Sequence, residues 1–163
     1  MHYEYIGVDP NTDTVERLNY LNTLITNSGT IVQSVSEEYQ PEDIDCAFSS
    51  PPYFNLEKYS NEDTQCMVRY KTLDEWFEGY LAPTIQRIHR GLNRQGVFAT
   101  NIADYKTSKE KFEIVERTIQ VAERIGFEHV QTIRMMLNTR PGVGNDKLAG
   151  KEKYEGVYVF RRS

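Results

Sequence analysis

The stretch Asp45-Cys46-Ala47-Phe48-Ser49-Ser50-Pro51-Pro52-Tyr53 decides how the rest of the chain is read. A short apolar run of strand character delivers a serine, two prolines and an aromatic ring to its end. Each proline removes a backbone N–H and fixes φ. Each also pushes the residue before it toward an extended conformation. The resulting corner is stiff, and it gathers a hydroxyl, bare carbonyl oxygens and a flat ring in one small volume. Such a cup suits a planar group bearing an NH2. A Pro-Pro turn that served structure alone would need neither Ser50 nor Tyr53.

Outward from this corner, strand and helix patterns alternate. Tyr3 to Val8 reads as a buried strand ending at Asp9-Pro10-Asn11. From Thr12, the apolar residues Val15, Leu18, Leu21, Leu24 and Ile25 share one helical face, with Gly29 as its stop. Thr30 to Val35 and Ile44 to Ser49 read as further strands. Cys46 lies inside the second of these and reads as a core residue. Residues 50–71 have no clean period and form a long polar loop, a type that is usually functional or disordered. Thr72-Leu73-Asp74-Glu75 is a capping box. It opens a helix that runs to Gly91, with Pro83 as a kink or second start. Gly96 to Ile102 reads as a central strand. Thr107-Ser108-Lys109-Glu110 reads as a second capping box, opening a helix to about Ile125 with Gly126 as stop. Val130 to Leu137 and Tyr154 to Phe160 are strands joined without a helix, which predicts an antiparallel pair at one sheet edge. The alternation predicts an α/β fold with a mostly parallel sheet. Ligands in such sheets bind at the carboxyl ends of the strands. Asp9, the Ser50 corner and Asn101 are all expected at those ends.

The chain has 163 residues, enough for one domain with its own core. No apolar run reaches the length of a membrane span, and no signal peptide is recognisable, so no membrane partner is expected and the cytoplasm is the default location. Cys46 and Cys66 have no metal-ligand spacing, and with only three scattered histidines no metal site is expected. The net charge is −5, but residues 131–163 hold seven Lys/Arg against three Asp/Glu, a net +4 that leaves −9 on the remainder. A basic segment on an acidic body suits an enzyme that meets DNA locally, and equally a solvated loop.

Asp9, at a strand end, can accept hydrogen bonds from two ribose hydroxyls, or simply form an Asp-Pro turn with Pro10 at a helix start. Phe54 and Tyr59, with Lys58, Arg69 and Lys71 nearby, can line a base pocket; Phe54 can equally be core. Arg140, Lys147, Lys151 and Lys153 lie among glycines and can follow a nucleic-acid backbone.

The order Ser50-Pro51-Pro52-Tyr53, continued by Phe54-Asn55-Leu56-Glu57-Lys58-Tyr59 and by Tyr70-Lys71-Thr72-Leu73-Asp74-Glu75-Trp76, resembles the S-adenosylmethionine-dependent DNA amino methyltransferases of phage or bacterial type. These act on adenine N6 or cytosine N4. The resemblance spans nearly the whole chain and implies a Rossmann-like class I methyltransferase sheet. It implies that Ser50 Oγ and the Pro51 carbonyl accept the N–H bonds of the target amine, with Pro52 holding the corner and Tyr53 stacked on the base. It implies that Asp9 and Pro10 meet the cofactor ribose, and that the segment Ser34 to Glu37, Ser36 and Glu37 in particular, borders its adenine. Phe54, Tyr59, Arg140 and Lys147 would contact DNA. A base inside a duplex cannot reach such a corner, so the nucleotide would be flipped out.

One piece of the family pattern has no counterpart here. The family carries a first strand and a glycine-rich turn about twenty residues before the ribose acid, and in its sheet that strand sits between the two strands that end at Asp9 and Ser50. Residues 1–163 therefore read as a single methyltransferase-like domain lacking its N-terminal cofactor-binding strand. A second chain or an N-terminal segment would complete the sheet, and activity of this chain alone is expected to be impaired. Two other readings stay open: an N-methyltransferase for a protein or small molecule, and an inactive remnant that binds DNA or a partner.

Overall fold

The computed structural model describes residues 4–25, 29–55, 62–108, 110–136 and 154–163. They fall into two compact units, residues 1–42 with 52–91 and residues 43–51 with 92–163. Expectations for Lys58, Tyr59, Arg140, Lys147, Lys151 and Lys153 lie outside the described residues.

In the first unit, β1 (Tyr5–Asp9) leads to α1 (Thr12–Ile25) and back to β2 (Gly29–Gln33). The two strands pair in parallel from Tyr5↔Gly29 to Asp9↔Gln33. Asn11 starts α1: its side-chain oxygen accepts from the Thr14 N–H at 2.9 Å, which satisfies one of the orphan donors of the first turn. The rest of this unit is a helical run: α2 (Cys66–Arg69), α3 (Leu73–Trp76), a π-helical turn (Phe77–Leu81) and α4 (Ala82–Gly91). The first capping box forms as expected, with the Thr72 side chain accepting from Glu75 N and Glu75 reaching back. Trp76, Phe77, Leu81 and Ile85 are nearly inaccessible and form the core of this run.

Pro83 does not stop this run, and the backbone around it shows how. Pro83 has no N–H to offer the Gly79 carbonyl four residues earlier, and its ring crowds that carbonyl. The Ala82 N–H instead bonds to Phe77 O, which widens the turn to π geometry. The Tyr70 hydroxyl reaches the Gly79 carbonyl at 2.8 Å and lies 2.9 Å from Glu37 Oε1. One phenolic proton thus serves a helix defect and a carboxylate.

The second unit holds a four-stranded mixed sheet in the order β3-β4-β8-β7, built from β3 (Ile44–Ser49), β4 (Leu92–Ile102), β7 (Phe127–Met136) and β8 (Tyr154–Arg162). β3 and β4 are parallel; β4–β8 and β8–β7 are antiparallel. The antiparallel pair at an edge is the arrangement expected from the sequence. β4 starts earlier than its apolar pattern suggests. Ile44 pairs with Leu92 and Cys46 with Val97, so the residues between Leu92 and Val97 bulge out, with Gln95 at φ 67°.

One face of this sheet is closed. Phe98, Phe127 and Phe160 form a ring cluster with centroids 5.6–6.2 Å apart. Helix α5 (Val115–Ile125) packs against β7 and buries Thr118, Val121 and Ala122. Gly126 ends it at φ 115°, as its sequence position predicts. The helix start differs from expectation. Thr107 to Glu110 is not a capping box but the turn of a small hairpin, β5 (Tyr105–Lys106) with β6 (Lys111–Phe112). Tyr105 stacks on Phe112 at 4.8 Å across it. The true cap is Asp104, whose Oδ1 accepts from the N–H groups of Ile114 and Val115 at 2.8 and 2.9 Å. A long-range cap of this kind leaves no local sequence pattern. Asp104→Ala is expected to cost about 1–2 kcal/mol of unfolding free energy, read by urea denaturation, because it orphans two helix donors facing the helix dipole.

The opposite face is open. Cys46, Val97, Ala99, Val157, Val159, Ile133 and Met135 alternate onto it with Phe48, which is 67 % exposed. Cys46 is therefore exposed rather than a core residue. Its strand has the apolar content of a buried one, yet Cys46 and Phe48 at this end of the face are exposed. Among the described residues β1 pairs only with β2 and β3 only with β4, so each keeps one unpaired edge.

Candidate functional site

The Ser50 corner follows β3 directly. Ser49 pairs with Thr100 on the parallel neighbour β4, which places the corner at the carboxyl end of both strands. Ser50 is exposed, Pro51 is buried, Pro52 and Tyr53 are half-buried, and Phe54 is 8 % exposed. No helix or strand includes residues 50–53. The Ser50 hydroxyl makes no hydrogen bond among the described residues, so its oxygen is available to an incoming N–H. Asn101 is the next-to-last residue of β4, near the strand end as expected, but it is buried. Its side-chain amide donates to the Gly156 carbonyl at 3.2 Å and ties β4 to β8.

Asp9 occupies the carboxyl end of β1, as the sequence predicts. Its Oδ1 accepts from the Asn11 N–H at 2.8 Å, closing the turn that contains Pro10. Its backbone carbonyl accepts from Ser34 N at 3.3 Å, which brings the end of β2 against it. Oδ2 has no partner among the described residues, and the side chain is half-buried. A carboxylate fixed through one oxygen and open at the other fits a ribose hydroxyl pair.

The segment after β2 is anchored from below. Ser36 Oγ and Thr84 Oγ1 are 3.1 Å apart, linking it to α4. Glu37 is buried, and its Oε1 accepts from Arg69 Nη1 at 2.8 Å as well as facing the Tyr70 hydroxyl. Arg69 Nη2 extends the bridge to Glu38 at 2.8 Å. The Arg87 Nε–H donates to the Glu37 carbonyl at 2.6 Å. Sequence reasoning placed Arg69 near DNA; the structure uses it to neutralise Glu37. It also missed Tyr70 and Arg87, because such contacts span 33 and 50 residues and carry no local pattern.

Burial, with the Glu37 charge adding to it, pushes the Cys66 thiol up to about 12 and raises the Tyr70 phenol well above its ordinary value. Both groups hold their protons more tightly in the folded chain than in the unfolded one. Stability is therefore fully present below about pH 9 and falls as the pH climbs from there toward 12, where the unfolded state has lost protons that the native state retains. Thermal melts between pH 8 and 11 check this, and Cys66→Ala is expected to flatten the lower part of the decline.

No family model matches the sequence, and no curated protein matches it. Solved structures do match its fold. An N-methyltransferase, NodS of Bradyrhizobium japonicum, aligns at a TM-score of 0.59 with 11 % identity, over 96 % of this chain and 72 % of that one. A TehB-like S-adenosylmethionine-dependent methyltransferase of Corynebacterium glutamicum aligns at 0.54 with 18 % identity, over 97 % and 67 %. A provisionally assigned DNA modification methylase of Thermus thermophilus, solved with S-adenosyl-L-methionine, aligns at 0.53 with 15 % identity, over 99 % and 56 %.

The fold is the Rossmann-like fold of class I methyltransferases. A match this close in shape and this distant in sequence speaks to architecture alone. The chain spans a little over half the length of some of these solved methyltransferases, 56 % for one from Thermoplasma acidophilum. Among the described residues no helix is long and apolar enough to cross a membrane.

Proposed function

We propose that this chain carries the amine-holding and ribose-holding parts of an S-adenosylmethionine-dependent methyltransferase whose substrate is the exocyclic amine of a DNA base, adenine N6 or cytosine N4. The observation that carries the reading is the Ser50-Pro51-Pro52-Tyr53 corner at the carboxyl end of a parallel strand, with an exposed and unengaged hydroxyl. Methyltransferase architecture supports the cofactor, and the likeness to a DNA modification methylase agrees with the substrate class.

When bound, S-adenosylmethionine supplies an electrophilic methyl group. The chain's own residues do the rest. An aromatic amine is a poor nucleophile because its lone pair is delocalised into the ring. Ser50 Oγ and the Pro51 carbonyl accept its two N–H bonds and draw the nitrogen toward tetrahedral geometry. Tyr53 stacks on the base and fixes its plane. Alignment and local electrostatics then account for most of the acceleration. Asp9 holds ribose hydroxyls through the oxygen it does not give to Asn11. Ser36 and Glu37, braced by Thr84, Arg69 and Tyr70, form a rigid border for the adenine. Phe54, with Tyr59, Arg140 and Lys147, belongs to the DNA-facing side of this reading.

The unpaired edges of β1 and β3, together with the open apolar face beside β3, each invite an added strand or helix. A segment or second chain that supplies them would complete the cofactor clamp. Tritiated methyl transfer to duplex DNA tests the function. Incorporation into adenine N6 or cytosine N4 supports it. DNA binding without any incorporation, with or without added upstream polypeptide, would favour a binding remnant. The likeness to NodS keeps an N-methyltransferase for small amines as the second reading, separated by label appearing in a small acceptor and not in DNA.

A further inference from the structure

The β7–β8 hairpin sorts its side chains by face. Residues directly paired across two strands point to the same side of a sheet. On one side lie the pairs Glu128↔Arg161, Gln131↔Val159, Ile133↔Val157 and Met135↔Glu155. On the other lie Phe127↔Arg162, His129↔Phe160, Thr132↔Tyr158, Arg134↔Gly156 and Met136↔Tyr154. Both acids of the two strands are on the first side. The second side carries no acid of these strands: its residues are Arg134, Arg162, His129 and Thr132 with aromatic and apolar groups and Gly156.

These aromatic groups form a ladder toward the Met136↔Tyr154 pair. The His129 ring lies 5.3 Å from Phe160 and 6.0 Å from Tyr158. The Tyr158 ring leans over Gly156, where an added Cβ would come within 2.7 Å of it. Beyond Gly156, Tyr154 is 49 % exposed, and the Arg134 guanidinium sits over its ring at 4.9 Å. The nearby acid, Asp104, spends its Oδ1 on the cap of α5. Arg162, at the inner end, donates to the Leu92 carbonyl. The exposed end of the ladder is thus a tyrosine with an arginine over its ring.

The ladder has a direction relative to the serine corner of the same unit. Ser49, Thr100, Tyr158 and Thr132 form one row across the four strands. The last β4–β8 pair is Ile102↔Gly156, and the hairpin continues past it to Met136↔Tyr154. It therefore projects from the end of the sheet at which Ser50 emerges, two strands or about 10 Å to the side.

The geometry points to this face of the β7–β8 pair, Tyr154 with Arg134 at the end of the described strands and Tyr158 and His129 behind, as a contact surface for unpaired nucleotides. Every base has a π-face, so an exposed ring accepts it whatever its identity, and a stacked guanidinium adds attraction to the phosphate. Both acids of the two strands lie on the opposite face, Asp104 on this side is engaged at the α5 N-terminus, and Arg134 supplies the charge that meets a phosphate. The inference deepens the DNA reading above: the ladder would hold nucleotides flanking the one presented to the Ser50 corner.

Fluorescence anisotropy with a fluorescein-labelled dT12 strand at low salt tests it on the full chain. Tyr154→Ala is expected to weaken binding about tenfold, and Arg134→Gln by a similar factor, in the range that one stacked base carries. Tyr154→Phe is expected to bind like the parent, since the ring is kept. An abasic strand of equal length is expected to bind at least about fivefold more weakly than dT12. The inference falls if dT12 does not bind, if Tyr154→Ala binds unchanged, if the abasic strand binds equally, or if polyglutamate displaces dT12 as well as unlabelled dT12 does. The outcome separates from that of the enzymatic reading. Ladder-dependent binding with no methyl transfer keeps the surface and removes the activity. Transfer to DNA that Tyr154→Ala leaves unchanged does the reverse.

Discussion

Gly79→Ala is expected to lower stability by about 2–4 kcal/mol, as for an overpacked core position whose new methyl group also displaces a hydrogen-bonded ring. A Cβ on residue 79 would stand 2.3 Å from Tyr70 Cε1 and 2.9 Å from Cδ1. The ring cannot simply swing aside. Its hydroxyl serves the Gly79 carbonyl and faces Glu37, and the ring packs against Tyr80 at 6.3 Å and under Arg69 at 5.7 Å. Moving it reopens the backbone defect created by Pro83 and leaves Glu37 with Arg69 alone. Tyr70→Phe keeps the ring and removes only the hydroxyl, so its expected cost is about 1–3 kcal/mol. For a chain of this size, each kcal/mol corresponds to roughly 2–4 °C in Tm. The double variant is expected to lose less than the sum of the two, because both act on one contact. Additive losses would show that Gly79 and Tyr70 matter for separate reasons.

Ser50→Ala is expected to reduce methyl transfer by about a hundredfold, in the range seen when one group aimed at the reacting atoms is removed. Ser50 is exposed and makes no hydrogen bond among the described residues, so its removal should leave Tm within about 1 °C, as for other surface changes. Tyr53→Ala is expected to abolish measurable transfer, since it removes the platform that sets the plane of the base. Neither change should alter affinity for S-adenosylmethionine. Asp9→Ala should do the opposite in part, weakening cofactor binding by about 10–100-fold through the loss of charged hydrogen bonds. Isothermal titration separates the two effects from the rate measured with labelled methyl. A Ser50→Ala variant that transfers methyl at the parental rate would remove Ser50 from the site. An Asp9→Ala variant with unchanged affinity would remove Asp9 from it.

The parallel and antiparallel pairings were legible because they rest on local patterns. Short apolar runs mark β1, β3 and β8. The Thr72 capping box and Gly126 mark helix ends through contacts within a few residues. Two strand patterns with no helical pattern between them predict an antiparallel pair. The placement of Asp9 and the Ser50 corner at strand ends follows from the same patterns, because each lies directly after an apolar run. The helix expected from Thr107 was misread for the same reason: a Thr-x-x-Glu spacing fits a hairpin turn as well as a capping box. The contact that decides between them, Asp104 with the N-terminus of α5, lies ten residues away.

What sequence alone determined about this protein is the alternation of its principal strands and helices and the strand-end positions of Asp9 and Ser50. Each depends on interactions between neighbours along the chain. Only the tertiary structure decided that Cys46 and Phe48 are exposed, because the apolar content of a strand does not reveal which faces find partners. Only the tertiary structure turned Arg69 and Tyr70 into braces for Glu37 and laid Tyr154 and Arg134 together across β7 and β8. Those arrangements depend on residues far apart in sequence, whose meeting is set by strand register and by the packing of helices.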